Sequence, residues 1–480
     1  MTPQDPNPNE AATAAQTLAA DTVPSSVAQT EADVAEPTQA VVRKGSTFES
    51  FKHRDYTWFW AGSLVSNTGT WMQNAVLAIV VWGLRGREFD LGIVNFAAGI
   101  PVLFLALPAG VLADRLDKRK LLMWSQAALG LLAAGLWILF RAGRLQSSHA
   151  TEALFWIAGL GLLAGVFSAL TFPAWQSFLP ELVGREDLMN AIALNAAQFQ
   201  SSRLLGPLAA TGLLLVGFDS GDVFLVNAAS FLFVIAALWA IRPAARQLTD
   251  APAETPAEKP EPAASSRADS VWTTLTVGVR YAVNHPVIGL LILSTAFMTV
   301  FAMPYMMLLP AIADKALHGA DHGKLYYSWL LAANGFGAIF GSLGVASLPT
   351  SIRRERLIPF SLMTMAALLI GFSLSRSFVL SMVLSVLSGA AFLTTNSLTN
   401  TSIQIAVPGP LRGRVMSLFV MAFMGIMPVS AAVFGPLGEV IGPTNAVLAG
   451  AIVLLAWGAY LAASGRMARG AEDARAGESA

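Results

Sequence analysis

The chain has no cysteine, little charge and no imbalance of charge. Without a thiol there is no disulfide, no thiol nucleophile and no thiolate metal site. Only 12% of the 480 residues are charged while 55% are hydrophobic, too little charge to cover a soluble protein of this size. Thirty Lys and Arg balance thirty Asp and Glu, so the balance points neither to nucleic acid nor to an acidic partner. Histidine is scarce as well: His53, His149, His285, His318 and His322 all fall in or beside polar turns. His318 and His322 stand four residues apart with no third ligand nearby, which suits a solvated loop better than a metal site. No cofactor is expected, and no apolar run carries a metal cluster or a nucleophile and base for an enzyme. Residues 1–45, rich in Ala, Thr, Pro, Gln and Glu, lack a persistent helical stripe and read as a disordered cytoplasmic tail. They also lack a charged n-region followed by an apolar h-region, so they are not a cleaved signal peptide.

What the chain does have, from Arg54 onward, is apolar runs of spanning length broken by short polar turns. A helix needs about 20 residues to cross a hydrocarbon core of about 30 Å. Runs near 56–82, 91–113, 121–140, 153–175, 190–216, 222–242, 287–310, 326–348, 357–375, 378–402, 415–438 and 442–464 make twelve such spans. The uncharged run 377–411 is long for one span, and its last third is expected to leave the membrane as a surface segment. A second break in composition, 243–270, where Ala, Pro, Glu and Ser replace Leu and Phe, reads as a linker. The expected class is an all-α integral membrane protein, twelve transmembrane helices in two pseudo-symmetric six-helix halves. Its parts are the tail 1–45, a first half 46–242, a cytoplasmic linker 243–284, a second half 285–464 and a tail 465–480.

Repetition supports the division. Gln176-Ser-Phe-Leu-Pro180, with Arg185 after it, corresponds to Gln404-Ile-Ala-Val-Pro408, with Arg412 and Arg414 after it. Cations fix the orientation: one set of alternate loops and tails holds twenty-two Lys and Arg and the other seven. Basic loops are retained in the cytoplasm, so both termini are expected there, in a multi-pass protein of the bacterial inner membrane.

The remaining cation, Arg203, lies inside the fifth span. It is about 20 Å into its helix at ~1.5 Å per residue, where a guanidinium is costly and stays charged. Either it faces a water-filled cavity and an anion, as a binding or gating cation, or it is held by backbone carbonyls freed near Pro207. The Gly206-Pro207 pair one turn on removes a backbone bond and bends the helix. Amides recur in the spans: Asn67, Gln73, Asn74, Asn95, Gln126, Gln198, Gln200, Asn334, Asn396 and Asn400. Each is costly in lipid unless it pairs or faces water. Gly161 with Gly165, Gly337 with Gly341, and Gly425 with Pro428 suit close helix packing. Met306, Met307, Met421, Met424 and Met427 offer deformable apolar surface. A carboxylate deep in a span, where burial would raise its pKa, is absent; the nearest candidate for proton coupling is Glu439 at one end of the eleventh span.

The turn between the second and third spans reads Gly110-Val-Leu-Ala-Asp114-Arg115-Leu-Asp117-Lys118-Arg119-Lys120. It resembles the signature loop of the major facilitator superfamily, with Asp117 where that pattern has Gly. The resemblance implies that Asp114 meets the N-terminus of the eleventh helix when the carrier faces outward, a favourable place for a carboxylate. With Gly110, Arg115, Arg119, Arg412 and Arg414 it would form an inner latch. Gly206 and Pro207 resemble the helix-five motif of exporters in this superfamily, which assigns them to gating. In the superfamily helices one, four, seven and ten line a central cavity, so Asn67, Trp71, Asn74, Tyr305, Asn396 and Asn400 are expected to line it, with Arg203 reaching in. Phe51-Lys-His-Arg-Asp-Tyr56, Pro173-Ala-Trp-Gln176, Gly278-Val-Arg-Tyr281 and Pro410-Leu-Arg-Gly-Arg-Val415 look like the enterobactin-exporter and macrolide-efflux branch.

That resemblance implies a monomeric secondary transporter exporting amphipathic small molecules, siderophore-like or drug-like, by alternating access and coupled to protons. Its partners would be the small-molecule substrate, protons and membrane lipids, with no nucleic acid. The alternatives are a lipid or lysolipid flippase, a facilitator not coupled to protons, or a membrane component that transports nothing and acts through its tail.

Overall fold

The computed structural model describes residues 48–184, 186–241, 271–317, 323–349, 352–407, 409–467 and 469. They are helical throughout, with no strand among the described residues. The first six spans are α1 (Arg54–Arg85), α2 (Glu88–Arg115), α3 (Lys118–Arg141), α4 (Ala150–Leu182), α5 (Leu188–Leu215) and α6 (Ser220–Ala240). A short helix α7 (Val271–Asn284) precedes the seventh span, which is made of α8 (Ile288–Ala302) and α9 (Pro304–Lys315). Then come α10 (Gly323–Ala346), α11 (Arg354–Leu374) and α12 (Phe378–Ala406). The eleventh span is α13 (Gly409–Val420), a π turn (Met421–Gly425) and α14 (Met427–Ile441), and the twelfth is α15 (Pro443–Ser464).

In lipid a backbone must satisfy its own polar groups, which makes helices of all these runs. Side chains then mark their ends. Asp219 and Asp222 form a reciprocal capping box at the start of α6, and Ser377 caps α12. Among the described residues, ten segments are long and apolar enough to cross a membrane. The two long helices outside that group are α1, with 32 residues, and α5, with 28. Both are interrupted by amides, hydroxyls and, in α5, Arg203, so their polarity has to be buried against protein.

Small residues set the packing. Gly337 and Gly341 of α10 lie on the carbonyls of Val386 and Ala390 of α12, with no room for a Cβ at either position. The first six spans meet the last six along two seams. Along one, α5 crosses α10, where a Cβ on Gly335 would stand 3.1 Å from the Arg203 carbonyl. Along the other, α2 crosses α14, where a Cβ on Gly92 would stand 2.9 Å from Gly435 Cα.

Several expectations change. The seventh span is not one helix over 287–310 but breaks at Met303 before Pro304 and runs on to Lys315, because proline has no N–H to donate to the ladder and its ring crowds the preceding turn. The eleventh span carries the π turn, and the Phe423 carbonyl inside it accepts from Thr299 Oγ1 at 3.3 Å. The Gln176–Pro180 stretch belongs to α4, which continues to Leu182. Residues 378–406 form one helix of 29 residues, about 43 Å long, so it overshoots the bilayer without breaking. The end of the expected linker, Val271–Asn284, is helical. Residues 1–45 and 243–270, Arg185, His318, His322, Pro408 and most of 465–480 lie outside the described residues.

Candidate functional site

The polarity of α1 and α5 is turned toward each other. Asn67 Nδ2 faces Gln198 Oε1 at 3.5 Å, and Thr68 Oγ1 faces Ser202 Oγ at 3.4 Å. Gly206 makes this approach possible, since a Cβ there would strike Trp71 Cβ and stand 2.8 Å from the Met72 amide. Pro207 beside it is buried. The pair therefore packs α5 against α1 as well as bending it.

Arg203 comes off this seam into the middle of the bundle and is 7% exposed. Its Nη2 donates to Asn334 Oδ1 of α10 at 2.8 Å and lies 3.3 Å from Met306 Sδ of α9. The guanidinium carbon lies 5.8 Å from the Trp71 ring of α1 and 5.7 Å from the Phe392 ring of α12. Five elements from both halves thus converge on one cation. Two ring contacts and one neutral acceptor compensate only part of the desolvation of a guanidinium, and the Nε is buried with no partner. Beside it is a cavity of about 20 Å³ lined by Arg203, Met303, Tyr305, Met306, Asn334, Ser388 and Phe392 among others, room for about one water molecule. The Ser388 hydroxyl is a second buried group without a partner. The Tyr305 hydroxyl meets Ser385 Oγ, which donates to the Leu330 carbonyl at 2.9 Å. The break at Met303 opens onto this cavity, as interrupted helices do at sites within membranes.

The sequence singled out Trp71, Arg203 and Tyr305, and the structure brings these three together. Asn67 lies one turn away on the α1–α5 seam. Asn396 and Asn400 lie further along α12; the Asn396 amide nitrogen is buried without a partner, and Asn400 Oδ1 accepts from Gln404 at 2.7 Å. Asn74 is exposed and stands apart from the Arg203 cluster. Gln73 and Gln126 pair within the first half, with Asn227 and Ser66. Sequence reasoning missed Asn334 as Arg203's partner, and Ser388, Met303 and Phe392 as lining. The legible signal was the Pro304 break beside Tyr305.

At the end of the bundle that holds the α1–α2 and α14–α15 turns, charges join the halves. Arg87 Nε donates to Glu439 at 2.7 Å, Lys315 to Glu88 at 2.8 Å, and Trp82 Nε1 to Asp314 at 3.0 Å. Lys315 also lies 5.1 Å from the Trp82 ring. Glu88 is 2% exposed, while Lys315 reaches it from a half-exposed position. Glu439, the expected proton site, is thus a member of an interhalf lock, and it holds the Arg87 guanidinium above its ordinary pKa by hydrogen bond and charge.

At the opposite end Asp187, Lys118 and Arg119 find partners inside the first half. Asp187 is bridged by His53 at 2.7 Å and Lys52 at 2.9 Å, which hold its carboxyl below the usual carboxylate range. Lys118 reaches Glu181 at 2.6 Å. Arg119 Nη2 donates to the Trp239 carbonyl at 2.8 Å, closing the end of α6. Asp117, where the superfamily pattern has Gly, caps α3 by accepting from the Lys120 amide at 3.0 Å. Arg412 is exposed and Arg414 half-buried. Gly110, Asp114 and Arg115 fall in the last turns of α2, and the side chains of Asp114 and Arg115 lie outside the described residues.

The family described as transmembrane secretion effector matches residues 45–478. The chain is 28% identical over 354 residues to the enterobactin exporter of Escherichia coli O127:H6, covering 73% of this chain and 77% of the exporter. The enterobactin exporter of Shigella boydii serotype 18 matches at 28% over 354 residues with the same shares. Among solved structures, a nucleoside transporter superposes with a TM-score of 0.64 at 14% identity over 86% of this chain and 99% of that one. A peptide transporter gives 0.66 at 14% identity over 87% and 95%. A bacterial homolog of the human lysosomal transporter Spinster gives 0.63 at 13% over 86% and 97%. At such identities the structures speak for the fold alone. The family match over nearly the whole length, on a bundle of spans meeting about one central cation, shows that this chain belongs to the transmembrane secretion effector family of the major facilitator superfamily: it is a membrane transport protein.

Proposed function

We propose that the chain exports amphipathic small molecules across the bacterial inner membrane as a monomer, by alternating access, with both termini in the cytoplasm. The cation excess of the turns supports this orientation. It puts the Arg87–Glu439 and Lys315–Glu88 lock at the outer face and the Asp114 turn at the inner face. In that frame the described state is shut toward the outside.

The observation that carries the reading is the convergence on Arg203 of a cation, two aromatic faces, a thioether and hydroxyls from both halves. A site of mixed apolar and polar lining suits a ligand with a polar head and an apolar body. The names of the enterobactin exporters support a siderophore-like substrate, and the methionines accommodate drug-like shapes as well. Rocking of the two halves about this site would require the outer lock to part and the Asp114 turn to close against the eleventh span.

Proton coupling, which the resemblance implies, has few places to act. Every Asp and Glu of the twelve spans lies in a first or last turn. A proton-linked step would therefore act on the lock, through Glu88 and Glu439, and not on the central site.

The test is uptake of labelled siderophores, drugs and lysolipids into everted membrane vesicles. Accumulation of siderophores or drugs that exceeds vesicles lacking the protein is expected. Movement of lysolipid alone would replace this reading with lipid flipping.

A further inference from the structure

Arg203 is alone in a specific sense. Every Asp, Glu, Lys and His of the helices, and every other Arg, lies within two turns of a helix end. Arg203 stands midway along α5, and no carboxylate is among its described partners. The centre of the carrier thus holds one fixed positive charge with no acid to neutralise it.

We infer that the protein carries organic anions, and that the membrane potential itself drives them outward through the charge of Arg203. The inference rests on the transport reading above and names its substrate class and energy source.

Recognition comes first. The Arg203 Nε and the Ser388 hydroxyl are both buried without partners, and both residues line the same cavity. Nη2 is held by the amide oxygen of Asn334, a neutral acceptor. A carboxylate, sulfonate or phenolate would accept from the guanidinium more strongly, because a charge-assisted bond is roughly twice as strong as a neutral one. The Trp71 and Phe392 rings near the guanidinium give a flat apolar body, carried by that anion, aromatic surface to lie against.

The energy follows from charge. With an anion bound, the centre is neutral and its outward step is indifferent to voltage. After release the empty site is positive, and its return from outer to inner access runs downhill in an inside-negative membrane. One negative charge leaves per cycle. That corresponds to about 2.3 kcal/mol per 100 mV, or roughly 45-fold accumulation at equilibrium. A carrier built this way needs no carboxylate at the middle of the membrane.

The test uses the purified full-length chain in liposomes, with an inside-positive potential set by external potassium and valinomycin. The probes are 1-naphthalenesulfonate, a permanent anion, with 1-naphthalenemethanol and 1-naphthyltrimethylammonium as neutral and cationic counterparts. The sulfonate is expected to accumulate with the potential, up to roughly 45-fold at about 100 mV. At zero potential it should not accumulate, with or without a pH gradient. Arg203→Gln is expected to abolish the effect and Arg203→Lys to retain part of it, each variant first shown to match the wild-type melting temperature. Accumulation driven by a pH gradient at zero potential, or equal uptake by Arg203→Gln, overturns the inference. Uptake of only the neutral or cationic probe also overturns it and leaves the transport reading standing. Failure of all three probes contradicts both.

Discussion

The named ion pairs at the two ends of the bundle differ in what they join. At the α1–α2 end, Arg87 with Glu439 and Lys315 with Glu88 tie the first six spans to the last six. At the other end, Asp187 with Lys52 and His53, and Lys118 with Glu181, tie the first half to itself. The first end adds a closure between halves to pairs inside the first half, such as Arg85 with Asp90 and Arg141 with Asp219, while the pairs named at the other end brace one half. Under the proposed alternating access, the closure has to break in each cycle while the brace survives it. The difference teaches which ion pairs belong to the moving interface.

The largest effect is expected where the inner end would have to close. Asp114→Asn should abolish uptake into everted vesicles while leaving expression and melting temperature unchanged. Wild-type rates in that variant would remove Asp114 from the moving interface. Next comes the seam on which the first half is built. Gly206→Val places a side chain against Trp71 and the Met72 amide, and overpacking of this kind costs about 1–3 kcal/mol, read as a lowered melting temperature. An unchanged melting temperature would show that α5 and α1 can separate there.

A smaller effect is expected at the closure itself. The double variant Glu88→Gln with Glu439→Gln removes both interhalf pairs. Pairs of this partly exposed kind are worth about 0–1 kcal/mol each, a shift of a few fold in the balance between closed and open. Spin-label distances between the ends of α2 and α14 should lengthen in part of the population. The same measurement on Lys118→Gln, which breaks a brace, should show no change.

The smallest effect concerns acidity. His53 and Lys52 lower the pKa of Asp187, so this carboxyl stabilises the folded state fully above its unfolded value of about 3.9. That contribution is lost as the pH falls through the lower folded value. The difference in melting temperature between wild type and Asp187→Asn should therefore be present at about pH 5 and close below about pH 4. A difference that persisted undiminished far below about pH 4 would mean that Asp187 is not braced as described.

Much of this comparison was legible in the chain, and the reason is the bilayer. Apolar runs of spanning length leave the backbone no option but helix, so the spans and the two halves could be read directly. Arg203 and Gly206-Pro207 were legible because a buried cation and a proline are costly wherever they occur in lipid. Asn334 as Arg203's partner was not, since the two are brought together only by the crossing of α5 and α10 at Gly335. Glu88, Lys315 and Asp314 were missed for another reason. A charge near the end of a span marks topology in any membrane protein, and nothing in its local sequence tells a loop charge from one pressed against the other half. Asp117 shows the same limit in reverse: it read as a missing turn glycine and is the cap of α3. The π turn at Met421–Gly425 left no mark beyond Gly425 and Pro428, which read as packing.

The most direct test of the account uses the absence of cysteine from the chain. Asn67→Cys places one thiol on the α1–α5 seam a turn from Trp71, to be challenged from either side of the membrane with a maleimide that cannot cross it. The account predicts labelling from the cytoplasmic side when the lock is intact, and added labelling from the outer side when Glu88→Gln and Glu439→Gln are combined with it. Labelling from outside with the lock intact, or an outer reactivity that the lock variants leave unchanged, would contradict alternating access about this site.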